Sequence, residues 1–242
     1  MSILSIVIPV YNELDVWREL LRRVEAVDLS ALGVSKQIIL VNDASTDGTG
    51  EQLDDWWNGL HGGTENTAEY KLIRHEKNQG KGAALRSGFA ATDGDIVLIQ
   101  DADLEYNPDE YPQLLAPILA GHADVVYGSR FLGGRPNMKH IRRANYLANR
   151  LLTFLSNRIT GLRLTDMETC YKVFRREVLA RITIEHDRFD VEPELTAKLA
   201  ALRVRVTEVP IRYHGRSKNE GKKIGIRDGF DALRCIWRYR RR

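Results

Sequence analysis

Four apolar residues, Ile96-Val97-Leu98-Ile99, run without alternation and then stop in Gln100-Asp101-Ala102-Asp103-Leu104-Glu105. A short unalternated apolar run reads as a strand buried on both faces, the condition of strands in parallel sheets covered by helices. The acids therefore stand at the carboxyl end of such a strand, the edge where open parallel sheets bind ligands. Carboxylates there suit a hard divalent cation whose other ligands are water and substrate phosphate oxygens. If the chain stays extended, period-two spacing aims Asp101, Asp103 and Glu105 to one side. A solvated acidic loop or helix cap before Pro108 is the competing reading.

The same punctuation recurs along the chain. Ser5-Ile6-Val7-Ile8 ends at Pro9, and Val16, Leu20, Leu21, Val24 and Val27 mark one face of the helix that follows. Gln37 to Val41 is a second strand, with a helix through Leu53 and Trp56 to Gly59. Residues 60–69 read as a loop. Tyr70 to Ile73 is a third strand, Lys81 to Ala91 a helix, Leu114 to Leu119 another, and Asp124 to Tyr127 a fifth strand. Regular alternation of this kind predicts an α/β fold, a mostly parallel sheet with helices on both faces.

Length and charge narrow the function classes. The 242 residues suit one domain with a sizeable core. No uncharged apolar run approaches the roughly 18 residues of a membrane span, and the N-terminus lacks the pattern of a signal peptide, so a cytoplasmic location is expected. Cys170 and Cys235 have no metal-ligand spacing and are expected to be free buried thiols. The net charge of +3 divides unevenly: residues 203–242 hold 13 Lys and Arg against 4 Asp and Glu, a net of +9, leaving 3 − 9 = −6 on residues 1–202. A basic tail on an acidic body suits an anionic membrane, a phosphorylated substrate or nucleic acid. No nucleic-acid motif accompanies the charge, so a nucleic-acid binding module is the weaker alternative and no nucleic acid is expected.

Three strand-end loops carry distinctive chemistry. Pro9-Val10-Tyr11-Asn12-Glu13 offers an aromatic face and a carboxylate suited to a nucleobase and a ribose. In Asn42 to Thr49, Asp43 stands where it could accept hydrogen bonds from a base edge, while Thr46 or Asp47 caps the next helix. Asn78-Gln79-Gly80-Lys81-Gly82 combines a lysine with two glycines that let backbone approach a ligand, although a structural turn explains each glycine singly. It lacks the spacing of a Walker A loop or a dinucleotide fingerprint.

Taken together, Val7-Ile8-Pro9-Val10-Tyr11-Asn12-Glu13, Asn42-Asp43-Ala44-Ser45-Thr46-Asp47-Gly48-Thr49 and Asp101-Ala102-Asp103 resemble the family 2 glycosyltransferases, inverting enzymes of the GT-A fold. Gly128-Ser129-Arg130-Phe131, Asp166 within residues 164–172, and Val209-Pro210-Ile211 look like the polyprenyl-phosphate sugar transferases, including dolichol-phosphate mannose synthase. The resemblance implies a GT-A domain over residues 1–215, followed by a basic loop and C-terminal amphipathic helix over 216–242. It implies a GDP- or UDP-hexose donor held by Pro9, Tyr11, Glu13, Asp43, Lys81, Asp101 and Lys218. Asp101, Asp103 and Glu105 would hold Mg²⁺ or Mn²⁺. Arg130, Arg142, Arg143 and Asn145 would bind the phosphate of a polyprenyl phosphate acceptor. Asp101, Asp103, Arg130 and Asp166 form the implied catalytic set, with Asp166 the base if the acceptor is instead a saccharide or other hydroxyl. The chain departs from these relatives at Asn145, where they often carry serine, and at Glu105, where some have glutamine.

Some features have plain structural readings. His75, His122, His140, His186 and His214 are expected on the surface or in loops. Glu192 and Glu194 favour the positive end of a helix dipole or line the acceptor pocket. Leu147, Leu151, Phe154, Leu155 and Ile159 form a helical stripe expected mainly in the core, with any exposed members free to meet lipid. Ile226, Phe230, Leu233 and Trp237 recur at helical spacing beside several arginines. That suits a peripheral position on the inner face of the plasma membrane, or equally a helix docked on the body.

Overall fold

The computed structural model describes residues 1–60, 69–132, 143–215 and 226–241. Among the described residues seven strands form one sheet: β1 (Ser2–Val10), β2 (Val34–Asn42), β3 (Glu69–Arg74), β4 (Ile96–Ile99), β5 (Val125–Ser129), β6 (Lys172–Arg175) and β7 (Val206–Pro210). Their spatial order is β3-β2-β1-β4-β6-β5-β7. Six strands run one way, and β6 runs antiparallel to both β4 and β5. The eight helices described are α1 (Trp17–Ala26), α2 (Thr49–Leu60), α3 (Lys81–Ala90), α4 (Tyr111–Leu119), α5 (Arg143–Thr160), α6 (Arg176–Leu179), α7 (Val191–Leu202) and α8 (Ile226–Arg238).

The expected α/β architecture is present, and β4 occupies Ile96–Ile99 with all four residues buried. α1 buries Trp17, Leu20, Leu21 and Val24 at i, i+3, i+4 and i+7, while Val16 is half-buried before it. β1 does not stop at Pro9 but continues to Val10. Its pairing with β4 ends at Val7, so the missing Pro9 N–H interrupts no ladder on that side.

β6 has no counterpart in the periodicity. Its two apolar residues, Val173 and Phe174, lie between Lys172 and Arg175, and the strand exists because β4 and β5 flank it. Being antiparallel, β6 begins where β4 and β5 end. The segment leading into it, residues 166–171, is thereby delivered to the carboxyl edge of the sheet.

One helix departs from expectation and another combines its two alternatives. On α5, Leu147, Leu151 and Phe154 are exposed rather than in the core. The buried side carries Leu152, Thr153 and Ser156, with Leu155 and Ile159 half-buried beside them. α8 packs against α5 and α7 through Ala232, Cys235 and Ile236. Phe230 and Trp237, from the stripe seen in the sequence, point away from that contact and are about two-thirds exposed (67% and 64%). Docking on the body and an outward apolar face therefore coexist on one helix. Cys170 and Cys235 are free and buried, as expected.

Candidate active site

Strands β1, β2 and β4 each end in a loop containing a non-glycine residue in the left-handed region: Asn12 (φ 50°), Ala44 (φ 56°) and Leu104 (φ 60°). Three such residues on one sheet edge, at the switch point between β1 and β4, mark a surface whose backbone is shaped at a conformational cost. The first two loops are bonded together: Asn12 N–H donates to Ser45 Oγ (3.0 Å), Thr46 N–H to Asn12 Oδ1 (2.8 Å) and Glu13 N–H to Thr49 Oγ1 (3.0 Å). Asp47 accepts from Thr49 N–H (3.0 Å), supplying the expected cap at the start of α2. Glu13 is buried, while Pro9 and Tyr11 are half-buried at the same edge.

Asp43 differs from its expected role. Its Oδ1 accepts from His75 Nδ1 (2.7 Å) and Gln79 N–H (2.9 Å), and its Oδ2 from Asn78 Nδ2 (2.9 Å) and Gly80 N–H (2.7 Å). A carboxylate has about four acceptor sites, so the 75–80 loop occupies them and none remains for a base edge. His75 is correspondingly not a surface residue: its ring is buried between Asp43 and Ser87 Oγ (2.9 Å). The glycines likewise approach the protein's own backbone. A Cβ at Gly80 or Gly82 would strike the Asp187 or His186 carbonyl, and Ala83 N–H at the start of α3 donates to Asp187 O (3.1 Å).

Between those glycines, Lys81 reaches a charged chain rather than open space. Its Nζ lies 2.8 Å from Asp101 Oδ1 and 3.0 Å from Glu192 Oε1 on α7. The Glu192 contact is an ion pair at good distance but not a well-directed hydrogen bond. The other Glu192 oxygen pairs with Lys172, which is fully buried and also donates to the Met167 (3.1 Å) and Thr169 carbonyls. Burial works to lower the Lys81 pKa, but Asp101, Cys170 and Glu192 outweigh it and hold it well above the ordinary lysine value. The dipole reading of Glu192 and Glu194 thus omits most of their partners. Glu194 is buried too, accepting from Glu185 N–H (2.7 Å), His186 N–H (2.9 Å) and Lys198 Nζ (2.6 Å). His186, half-buried, is paired with Asp190 instead of lying free on the surface.

The period-two argument for three metal ligands fails because the chain turns at Ala102–Asp103 and again at Leu104. Among the described residues no three His, Cys, Asp or Glu side chains converge as a metal cluster. Glu105 accepts from Tyr213 OH (2.6 Å). Asp101 is held from behind: Gln100 Nε2 donates to Asp101 O (2.9 Å), and Gln100 Oε1 accepts from Tyr111 and Tyr171 (2.7 Å each). A cationic ammonium already sits on the Asp101 carboxylate. Mg²⁺ is commonly held by only one or two carboxylates plus substrate phosphates, so Asp101 and Asp103 fit such an ion without a third acid.

Across the edge, Arg130 follows β5 and closes a fork on Asp166. Nε to Oδ2 and Nη2 to Oδ1 are each 2.7 Å, and the Arg130 N–H adds a 3.0 Å bond to Oδ2. Arg130 is 7% exposed and Asp166 fully buried, so Asp166 is not an available base. Nη1 is the guanidinium nitrogen outside this fork. The neighbouring Phe131 ring stands edge-on to Tyr146 of α5, 5.2 Å between centroids, bringing the first turn of α5 and its half-buried Asn145 to the same side. Arg142, Lys218 and the side chain of Arg143 lie outside the described residues.

The geometry also assembles residues that sequence reasoning passed over. Lys172 and Glu168 lie in the Asp166–Lys172 segment, and their signal was charge in a stretch otherwise buried. Glu168 Oε1 is buried with no hydrogen-bond partner among the described residues. Its carboxyl is pushed up to about 7 by burial and by Glu192, against the pull of Lys172 and Arg130.

Known proteins place this arrangement. The chain is 31% identical over 236 residues to an undecaprenyl-phosphate 4-deoxy-4-formamido-L-arabinose transferase of Pseudomonas fluorescens (strain SBW25), covering 96% of this chain and 64% of that protein. The corresponding Klebsiella pneumoniae transferase is 30% identical over 235 residues, 96% of this chain and 67% of its own length. The chain thus spans about two thirds of these relatives, and their named sugar is an arabinose derivative rather than the expected hexose. Among solved structures, Mycobacterium tuberculosis glucosyl-3-phosphoglycerate synthase with Mn²⁺, UDP and glucosyl-3-phosphoglycerate superposes with TM-score 0.69 at 19% identity, covering 98% of this chain and 80% of that one. S. aureus TarS (residues 1–349) gives TM-score 0.62 at 20% identity, over 99% and 65%. These two support the GT-A-like fold. The model of glycosyl transferase family 2 matches residues 5–183, and the chain belongs to that family.

Proposed function

We propose that this glycosyltransferase moves a sugar from a nucleotide-sugar donor to the phosphate of a polyprenyl phosphate, with Mg²⁺ or Mn²⁺ on the donor diphosphate. The observation that carries the acceptor is the position of α5. The Arg130 guanidinium lies over Phe131, Phe131 meets Tyr146, and from the next residue outward α5 exposes Leu147, Leu151 and Phe154, about one turn apart. A cation fork beside an exposed apolar row suits a phosphate joined to a hydrocarbon. The names of the undecaprenyl-phosphate transferases support the same acceptor class.

The division of labour follows from the edge. Tyr11, Glu13 and Pro9 flank the nucleoside, with Asp43 shaping the loop beside it rather than reading the base. Asp101 and Asp103 would hold the metal, which would supply positive charge to the nucleoside diphosphate leaving group. Lys81 keeps Asp101 in place and adds positive charge on the donor side. Arg130, oriented by Asp166, presents Nη1 to the acceptor phosphate, which is anionic at neutral pH and needs positioning more than a strong base. The outward Phe230 and Trp237 of α8 extend the apolar surface toward an anionic membrane, and no helix among the described residues is long and apolar enough to cross one.

The test is transfer from a panel of UDP- and GDP-linked hexoses and of UDP-4-deoxy-4-formamido-L-arabinose to polyprenyl phosphate, with Mn²⁺ or a chelator. Metal-dependent formation of a polyprenyl-phosphate sugar is expected. Transfer to a saccharide hydroxyl in preference to polyprenyl phosphate would refute the acceptor assignment. The productive donor decides between hexose and arabinose.

A further inference from the structure

The segment leading into β6 brings Glu168 within electrostatic reach of two ion-paired groups at the carboxyl edge. Toward β5 stands Arg130 with Asp166; toward α7 stand Lys172 and Glu192. The neighbouring buried carboxylates are matched. Asp166 takes three bonds from Arg130, Glu192 has Lys81 and Lys172, and Glu194 has two backbone N–H groups and Lys198. Glu168 differs in having neither an ion pair nor a hydrogen bond among the described residues: it is half-buried as a residue, yet Oε1 is shielded from solvent. An unpartnered buried oxygen within electrostatic reach of an arginine at a ligand-binding edge calls for an explanation, because a buried polar atom left without a hydrogen bond keeps its full desolvation cost.

We infer that Glu168 is an acceptor-binding residue that, as a neutral carboxylic acid, donates a hydrogen bond to an oxygen of the acceptor's phosphate monoester. The inference rests on the phosphate-acceptor reading above. A carboxylate in this position would repel the phosphate; a carboxylic acid offers it a donor opposite Arg130. The surroundings favour the acid. Burial and the Glu192 and Asp166 carboxylates raise the Glu168 pKa to about 7, opposed by Lys172 of β6 and Arg130 after β5, and Cys235 of α8 faces the same group as an un-ionised thiol. A bound phosphate dianion adds another like charge and stabilises the acid form further. Glu168 therefore sets an upper pH limit on acceptor binding, as other enzymes keep a carboxylic acid neutral in order to donate from it.

The full chain is assayed from pH 6 to 9 with polyprenyl phosphate and with a short water-soluble alkyl phosphate. The first arm includes the lipid; the second isolates the phosphate. In both, wild-type kcat/KM for the acceptor is expected to fall with rising pH once Glu168 ionises, approaching tenfold per pH unit. Glu168→Gln mimics the neutral acid, so it should remain active and lose that alkaline fall. Glu168→Ala should raise the acceptor KM about 10- to 100-fold, the scale of one hydrogen bond to a charged group, while the donor KM stays unchanged. Melting curves confirm that each variant is folded, and a carboxylic-acid infrared band near neutral pH, absent in Glu168→Gln, reads the protonation directly. An alkaline fall that persists in Glu168→Gln, or a wild type without one, overturns the inference while leaving the glycosyl-transfer reading intact. A wild type that transfers sugar to hydroxyl acceptors and to neither phosphate overturns both.

Discussion

Arg130 and Asp166, thirty-six positions apart, form a closed two-point fork with both heavy-atom distances at 2.7 Å, with Asp166 fully buried and Arg130 only 7% exposed. Such a pair is costly to break from one side, since the survivor is left charged and buried. Arg130→Ala should destabilise the fold by about 3–5 kcal/mol in urea denaturation. Arg130→Lys should recover little of this, because an ammonium cannot span both Asp166 oxygens. Losses of activity in these variants must therefore be read against their stability.

The metal assignment separates from folding more cleanly. Asp103 is partly exposed, so Asp103→Asn exchanges a charged ligand for a neutral one of similar size without emptying the core. Turnover at saturating donor should drop at least tenfold while the melting temperature stays within a few degrees. Unchanged turnover would remove Asp103 from the site.

Two helical glycines provide an internal contrast. At Gly82 an added Cβ collides with the backbone of His186 and Asp187, whereas at Gly59 in α2 it meets nothing within 4 Å. Gly82→Ala should cost more than about 2 kcal/mol through forced separation of α3 from residues 186–187. Gly59→Ala should gain up to about 1 kcal/mol from helix propensity. Denaturation midpoints of the two variants check the contrast.

The exposed apolar residues predict membrane association. Replacing Phe230 and Trp237 with serine should reduce co-sedimentation with anionic vesicles severalfold, and raised salt should weaken binding of the parent chain as arginine attraction to head groups is screened. Because both side chains point away from the α8 packing face, the melting temperature should hardly change. Vesicle binding unaffected by the double replacement would make α8 a strut alone.

What was legible in the sequence was local. An apolar run of four, a 3.6-residue stripe or a cap before a helix is written within one element, because backbone geometry fixes which neighbours share a face. That was sufficient for β1 to β5, the helices between them and the loops at their carboxyl ends. Partners at long range were not legible. Asp43 looks like a free acceptor until the 75–80 loop is folded onto it, the structural turn that explains Gly80 and Gly82 gains its partner only when residues 186–187 cover them, and nothing local pairs Lys172 with Glu192 until β6 enters the sheet. The antiparallel insertion of β6 decided most of this. Whether a buried charge is neutralised, and by which residue, depends on which strands become neighbours, and that is settled by packing of the whole sheet rather than by the period of any segment.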